Sequence, residues 1–87
     1  MREPLTAPMG KLDAFDVGEK KLTLQTEFFP RPTWRIETKV YLGGALKKVY
    51  TSDLTEDREP ELQTLINEFH QAKLDEIMEG LRARRSQ

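Results

Sequence analysis

Few residues in this chain are equipped for chemistry. It has one histidine, His70, and no cysteine. The missing cysteine excludes disulfides, thiolate metal ligands and a cysteine nucleophile. A single histidine cannot assemble a multi-histidine metal site, and no Asp or Glu repeats at ligand spacing on its helical face. His70 follows Phe69 at the edge of an apolar stripe, and so reads as a helix-border residue with a packed ring and a hydrogen-bonded tip. The sharper alternative is a partner contact or a proton-dependent switch. The carboxylates of Asp53, Glu56, Asp57, Glu59 and Glu61 lack the Asp-x-Asp-x-Asp-Gly spacing of a calcium loop. They fit the start of a helix, where the dipole favours negative charge. Gly43-Gly44 lies between two strand patterns with no helix amino terminus after it, so it is a turn and not a phosphate cradle. No catalytic constellation emerges. No cofactor, metal or small-molecule substrate is expected, and the chain reads as a non-enzyme.

The strongest candidates for recognition are basic and aromatic. Arg35, Lys39, Tyr41, Lys47 and Lys48 fall close together with Trp34 and Tyr50 nearby. Cations for phosphate and aromatics for stacking are how single-stranded nucleic acid is held. The competing reading is the ordinary wet face of an antiparallel sheet, with lysines that discourage edge pairing.

The elements that would position these residues follow from periodicity. Residues 20–29, KKLTLQTEFF, alternate with Leu22, Leu24, Thr26 and Phe28 on one face. Pro30-Arg31-Pro32 ends that strand by removing two donors. Residues 33–42 alternate again, with Trp34, Ile36, Thr38, Val40 and Leu42 on one face and Arg35, Glu37, Lys39 and Tyr41 on the other. The return strand, 45–51, has two candidate registers. A two-residue turn sets Leu42 against Ala45 and Thr38 against Val49, and places Lys47 on the apolar face. A three-residue loop sets Leu42 against Leu46 and Thr38 against Tyr50, buries more apolar area, and is the expected register.

Pro60, acidic residues before it and Arg82, Arg84 and Arg85 at the far end frame a helix from about residue 60 to about 83. Its apolar positions drift round the helix instead of repeating every seven residues, which argues against a left-handed coiled coil. Such a helix packs obliquely on a sheet and leaves its far end free. Phe69, His70, Leu74, Ile77, Met78 and Leu81 are the expected protein interface. Residues 1–19, with two prolines and two glycines, read as a flexible segment from which Leu12, Phe15 and Val17 could dock on the core.

The expected fold is α+β. Residues 20–87 form one small domain, a three-stranded antiparallel meander packed on one carboxyl-terminal amphipathic helix. The net charge of −1 hides an uneven distribution. Residues 1–19 carry −2, residues 20–51 carry +5 and residues 52–87 carry −4.

From Thr38 onward, T-K-V-Y-L-G-G, a lysine-bearing return strand, an acidic linker and E-L-Q-T-L-I-N-E-F-H-Q-A-K-L resemble a short hairpin-plus-helix module of uncharacterised bacterial proteins. The resemblance covers about half the chain. It implies the hairpin-helix architecture and no catalytic activity.

A chain of this size buries only about 60% of its unfolded surface, so partner binding would stabilise it. The expectation is a small protein-interaction or regulatory module, bound to a protein partner or to itself as a homodimer. The alternative is nucleic-acid binding through the basic strand face. No apolar segment is long enough for a signal-peptide core or a membrane span, so a cytoplasmic location is expected.

Overall fold

The computed structural model describes residues 2–85. Met1, Ser86 and Gln87, at the ends of the expected flexible segment and domain, lie outside the described residues. The chain is α+β, as expected, but its sheet has four strands and not three. They are β1 (Lys11–Val17), β2 (Lys20–Phe29), β3 (Arg35–Leu42) and β4 (Ala45–Asp53), each antiparallel to its sequence neighbours. A 3-10 segment, Glu56–Glu61, then leads into α1 (Leu62–Arg85), which lies across one face of the sheet.

The additional strand, β1, comes from the segment expected to be flexible. Asp13, Phe15 and Val17 face the helix side, paired with Leu24, Leu22 and Lys20, while Leu12, Ala14 and Asp16 face away. A carboxylate on the inner face and a leucine on the outer face invert the usual pattern, and the strand signal disappears with it. Gly10 is needed just before β1, because a Cβ there would stand 2.8 Å from the Thr26 carbonyl oxygen.

The β3–β4 turn has two residues and not the expected three, and the expected pairing holds only beyond a bulge. Gly43 and Gly44, both at positive φ, make a two-residue turn that pairs Leu42 with Ala45 and Tyr41 with Leu46. Lys47 then has no partner opposite, and beyond this bulge Val40 pairs with Lys48 and Thr38 with Tyr50. Strict alternation would put Leu46 and Val49 on opposite faces. The inserted residue puts both on the face that α1 leaves uncovered.

Under the helix the core has two apolar parts. Trp34, Ile36, Leu62 and Ile66 form one, with the Phe28 and Trp34 rings edge to face at 5.2 Å. Leu22, Leu24 and Val40 form the other, flanked by Phe15, Leu74 and Ile77 among others. Between them lies a row of buried polar side chains, Thr26, Thr38 and His70. The molecule measures 46 × 22 × 17 Å. A 24-residue helix is about 36 Å long, so α1 overhangs the sheet at the end of its two hairpin turns.

Candidate functional site

The polar row is the most organised chemistry in the molecule. His70 is only 1% exposed. Its Nδ1 lies 2.7 Å from Thr26 Oγ1, which lies 2.6 Å from Thr38 Oγ1. Its Nε2 lies 2.6 Å from Asp13 Oδ2. The carboxylate accepts from Nε2–H, so in the neutral ring Nδ1 accepts from the Thr26 hydroxyl and Thr26 accepts from Thr38. The order hydroxyl, imidazole, carboxylate is that of a nucleophile, base and orienting acid. Here, however, both threonines are wholly buried and both ring nitrogens are engaged. Neither threonine hydroxyl of this network can meet a substrate, and both ring nitrogens are held by protein partners. Among the described residues no buried side-chain polar atom lacks a partner. The network ties α1 to β1, β2 and β3.

This geometry corrects the place given to His70. It belongs to the interior and not to a contact surface, because the unanticipated strand β1 closes over it. Phe69 packs against the Trp34 part of the core, and Leu74 and Ile77 pack against the Leu24 part. Of the helix residues expected at an interface, Met78 and Leu81 remain at the surface. They line a groove of about 570 Å³ with Phe15 and Val17.

The basic residues do not form one surface. Arg35, Lys39 and Tyr41 lie on the uncovered face of the sheet. There Arg35 pairs with Glu37 and stands 4.8 Å over the Phe29 ring, which Lys39 also approaches. Lys48 lies on the helix side, with its ammonium 4.9 Å from the centre of the Tyr50 ring. Lys47 is the bulge residue. Cross-strand pairing places Lys21, Arg35 and Lys39 on the uncovered face together with Asp16, Glu27, Glu37 and Asp53, so that face is mixed in charge.

Exposed apolar residues stand at its two edges, in a band with polar side chains between them. The band runs over two rows of cross-strand neighbours: Ala14, Thr23, Tyr41 and Leu46, then Leu12, Gln25, Lys39 and Val49. Leu12 is 66% exposed, Leu46 52% and Val49 44%. Sequence alternation misses this band, because it depends on β1 and on the bulge at Lys47.

The amino-terminal segment runs along the start of the helix as a strap. Arg2 pairs with Glu59 and Glu56, and its carbonyl accepts from Trp34 Nε1–H at 2.8 Å. Leu5 N–H donates to Glu59. The Gln63 carboxamide accepts from Met9 N–H at 2.8 Å and donates to the Met9 carbonyl at 2.9 Å. The Glu59 carboxyl is held below the usual carboxylate range, first by the Arg2 hydrogen bond and then by Leu5 N–H. A depressed carboxylate stabilises the docked strap fully above the ordinary Glu value of about 4.3. That contribution is lost as pH falls through the lower folded value. Trp34 reports it, because Arg2 lies 5.2 Å over its ring. Trp emission should change in acid, below the ordinary Glu range, while the far-ultraviolet circular dichroism holds. In Glu59→Gln that step should be absent, and an unaltered step would refute the assignment.

The fold and these sites define a two-layer protein, one helix on a four-stranded antiparallel meander. No family model, curated protein or solved structure matches the chain. No helix among the described residues is long and apolar enough to cross a membrane.

Proposed function

We propose that this protein is a small non-enzymatic interaction module that associates with itself, working in the cytoplasm. The observation that carries this reading is the uncovered sheet face. One helix shields one side of the sheet, and the other side presents Leu12, Leu46 and Val49 to solvent within one band. Exposed leucine and valine side chains on both edge strands, joined across the middle by Tyr41 and the short polar Thr23 and Gln25, are surface that a partner would cover. The interior network supports the non-enzymatic part of the reading, since its groups are consumed by one another. Nucleic acid is the weaker occupant, because the uncovered face mixes acidic with basic residues and its arginine is already paired with Glu37.

Light scattering of the full chain tests the reading at two protein concentrations, each in low and high salt. A mass that rises toward the dimer with concentration and survives salt is expected. A monomer mass under all four conditions would refute self-association.

A further inference from the structure

The uncovered face is complementary to itself in one orientation. Its rows follow one another along the strands. Lys21 and Asp16 lie at the hairpin-turn end, and the Ala14–Leu46 and Leu12–Val49 rows lie in the middle. Glu27 and Glu37 come next, with Arg35 and Asp53 beyond them. The basic and acidic ends of β2 therefore bracket the two middle rows.

We propose that this face docks a second copy of the chain, sheet on sheet, with each strand lying over the same strand of its partner in the opposite sense. The inference rests on the self-association reading and gives it a surface. A twofold axis running across the strands, between the Thr23 and Gln25 rows, exchanges the two middle rows. Leu46 then meets the partner's Val49, Ala14 meets the partner's Leu12, and Tyr41 meets the partner's Lys39. Large faces small, and a cation faces an aromatic ring. The same operation carries Lys21 onto the partner's Glu27. A twofold axis along the strands would instead set Glu27 over the partner's Glu37 and is disfavoured by like charge. Charge thus selects one of the two closed arrangements available to a face-to-face pair.

The size of the face sets the strength. Four strands about 4.8 Å apart and four rows about 6.8 Å apart give a footprint of about 500 Å². Side-chain relief raises the accessible area toward the roughly 800 Å² per partner of a standard interface, which places this pair at the small end. The dimer should therefore dissociate on dilution. The far end of α1 is the weaker candidate for the same role. Met78 and part of Leu81 are the apolar surface it retains after Leu74 and Ile77 have packed inward.

Sedimentation equilibrium of four full-length variants beside the wild type tests the surface, with circular dichroism to check that each remains folded. Leu46→Glu with Val49→Glu should weaken the dimer by about 100-fold or more, since two apolar contacts are lost on each copy and charges are buried in their place. Lys21→Glu should weaken it, and Lys21→Glu combined with Glu27→Lys should restore it. Recovery by charge exchange cannot arise from misfolding. Met78→Glu should leave the dimer intact. A dimer that persists in the Leu46/Val49 variant, or one lost in Met78→Glu, overturns the sheet face while leaving self-association standing. A wild-type monomer overturns both.

Discussion

His70→Ala should lower the stability of the folded chain by about 3 kcal/mol, on the scale of losing a buried side chain and its hydrogen bonds together. For a domain of this length that is a fall in Tm of about 12–24 °C. The ring fills the space between the two parts of the core and holds three strands to the helix. Its removal leaves a cavity, and the Thr26 hydroxyl keeps only Thr38. The threonines extend the test. Thr26→Val should cost more than Thr38→Val, because it strands the His70 Nδ1 in the interior. Loss of Thr38 leaves the Thr26–His70 bond in place. Asp13→Ala should cost least, since that side chain is 48% exposed and water can take its place at Nε2. Thermal melts of the four variants give the order directly. A His70→Ala protein that melts within about 2 °C of the wild type would mean that the network stabilises nothing.

The second large effect is expected at Trp34. Its ring is wholly buried, meets Phe28 edge to face and carries the Arg2 guanidinium above it. Trp34→Ala should cost about 4 kcal/mol, from lost apolar burial and the space left behind. Total stability for a chain of this length is about 4–13 kcal/mol, so the variant should be marginal or unfolded at 37 °C. Trp34→Phe separates packing from the polar tether. It keeps an aromatic ring against Phe28 but donates nothing to the Arg2 carbonyl. Urea titration should find it about 1–2 kcal/mol less stable. Limited proteolysis should then cut the amino-terminal strap faster than in the wild type. Equal cutting rates would show that the strap is held without the Trp34 bond.

The sequence made some elements legible and hid others. Strands β2 and β3 alternate cleanly because each has one buried and one wet face, and periodicity finds such strands directly. The helix was visible from its drifting apolar stripe and the charges at its ends, although its first turn is a 3-10 segment. Strand β1 was hidden by Asp13, which faces inward because His70 waits for it 57 residues further along the chain. A pattern read locally cannot anticipate a partner that distant. The hairpin register divided between two solutions because both are realised, one on each side of Lys47. The same bulge turns Leu46 and Val49 to one face, so the apolar band was illegible for the same reason. The expected site residues were named without knowledge of which of them the fold brings together. His70 was read as a packed ring with a hydrogen-bonded tip at the helix border and also set among the expected interface residues; its full burial depends on the strand that was missed.

The polar row between the two parts of the core also governs which fold the chain selects. Apolar packing alone discriminates poorly between alignments. If α1 slid along the sheet, or β2 slipped two residues against β3, every side chain would stay on its own face and leucine would still meet isoleucine or valine. Such misaligned states bury nearly as much area as the native one. They would, however, leave the imidazole against Leu24 or Phe28, and strand the threonine hydroxyls or the ring nitrogens in a dry interior. The hydrogen-bonded row does more than add depth to the native minimum. Its effect is to raise the energy of the near misses, which gives a marginal core of mostly interchangeable hydrophobes a single alignment of helix and sheet.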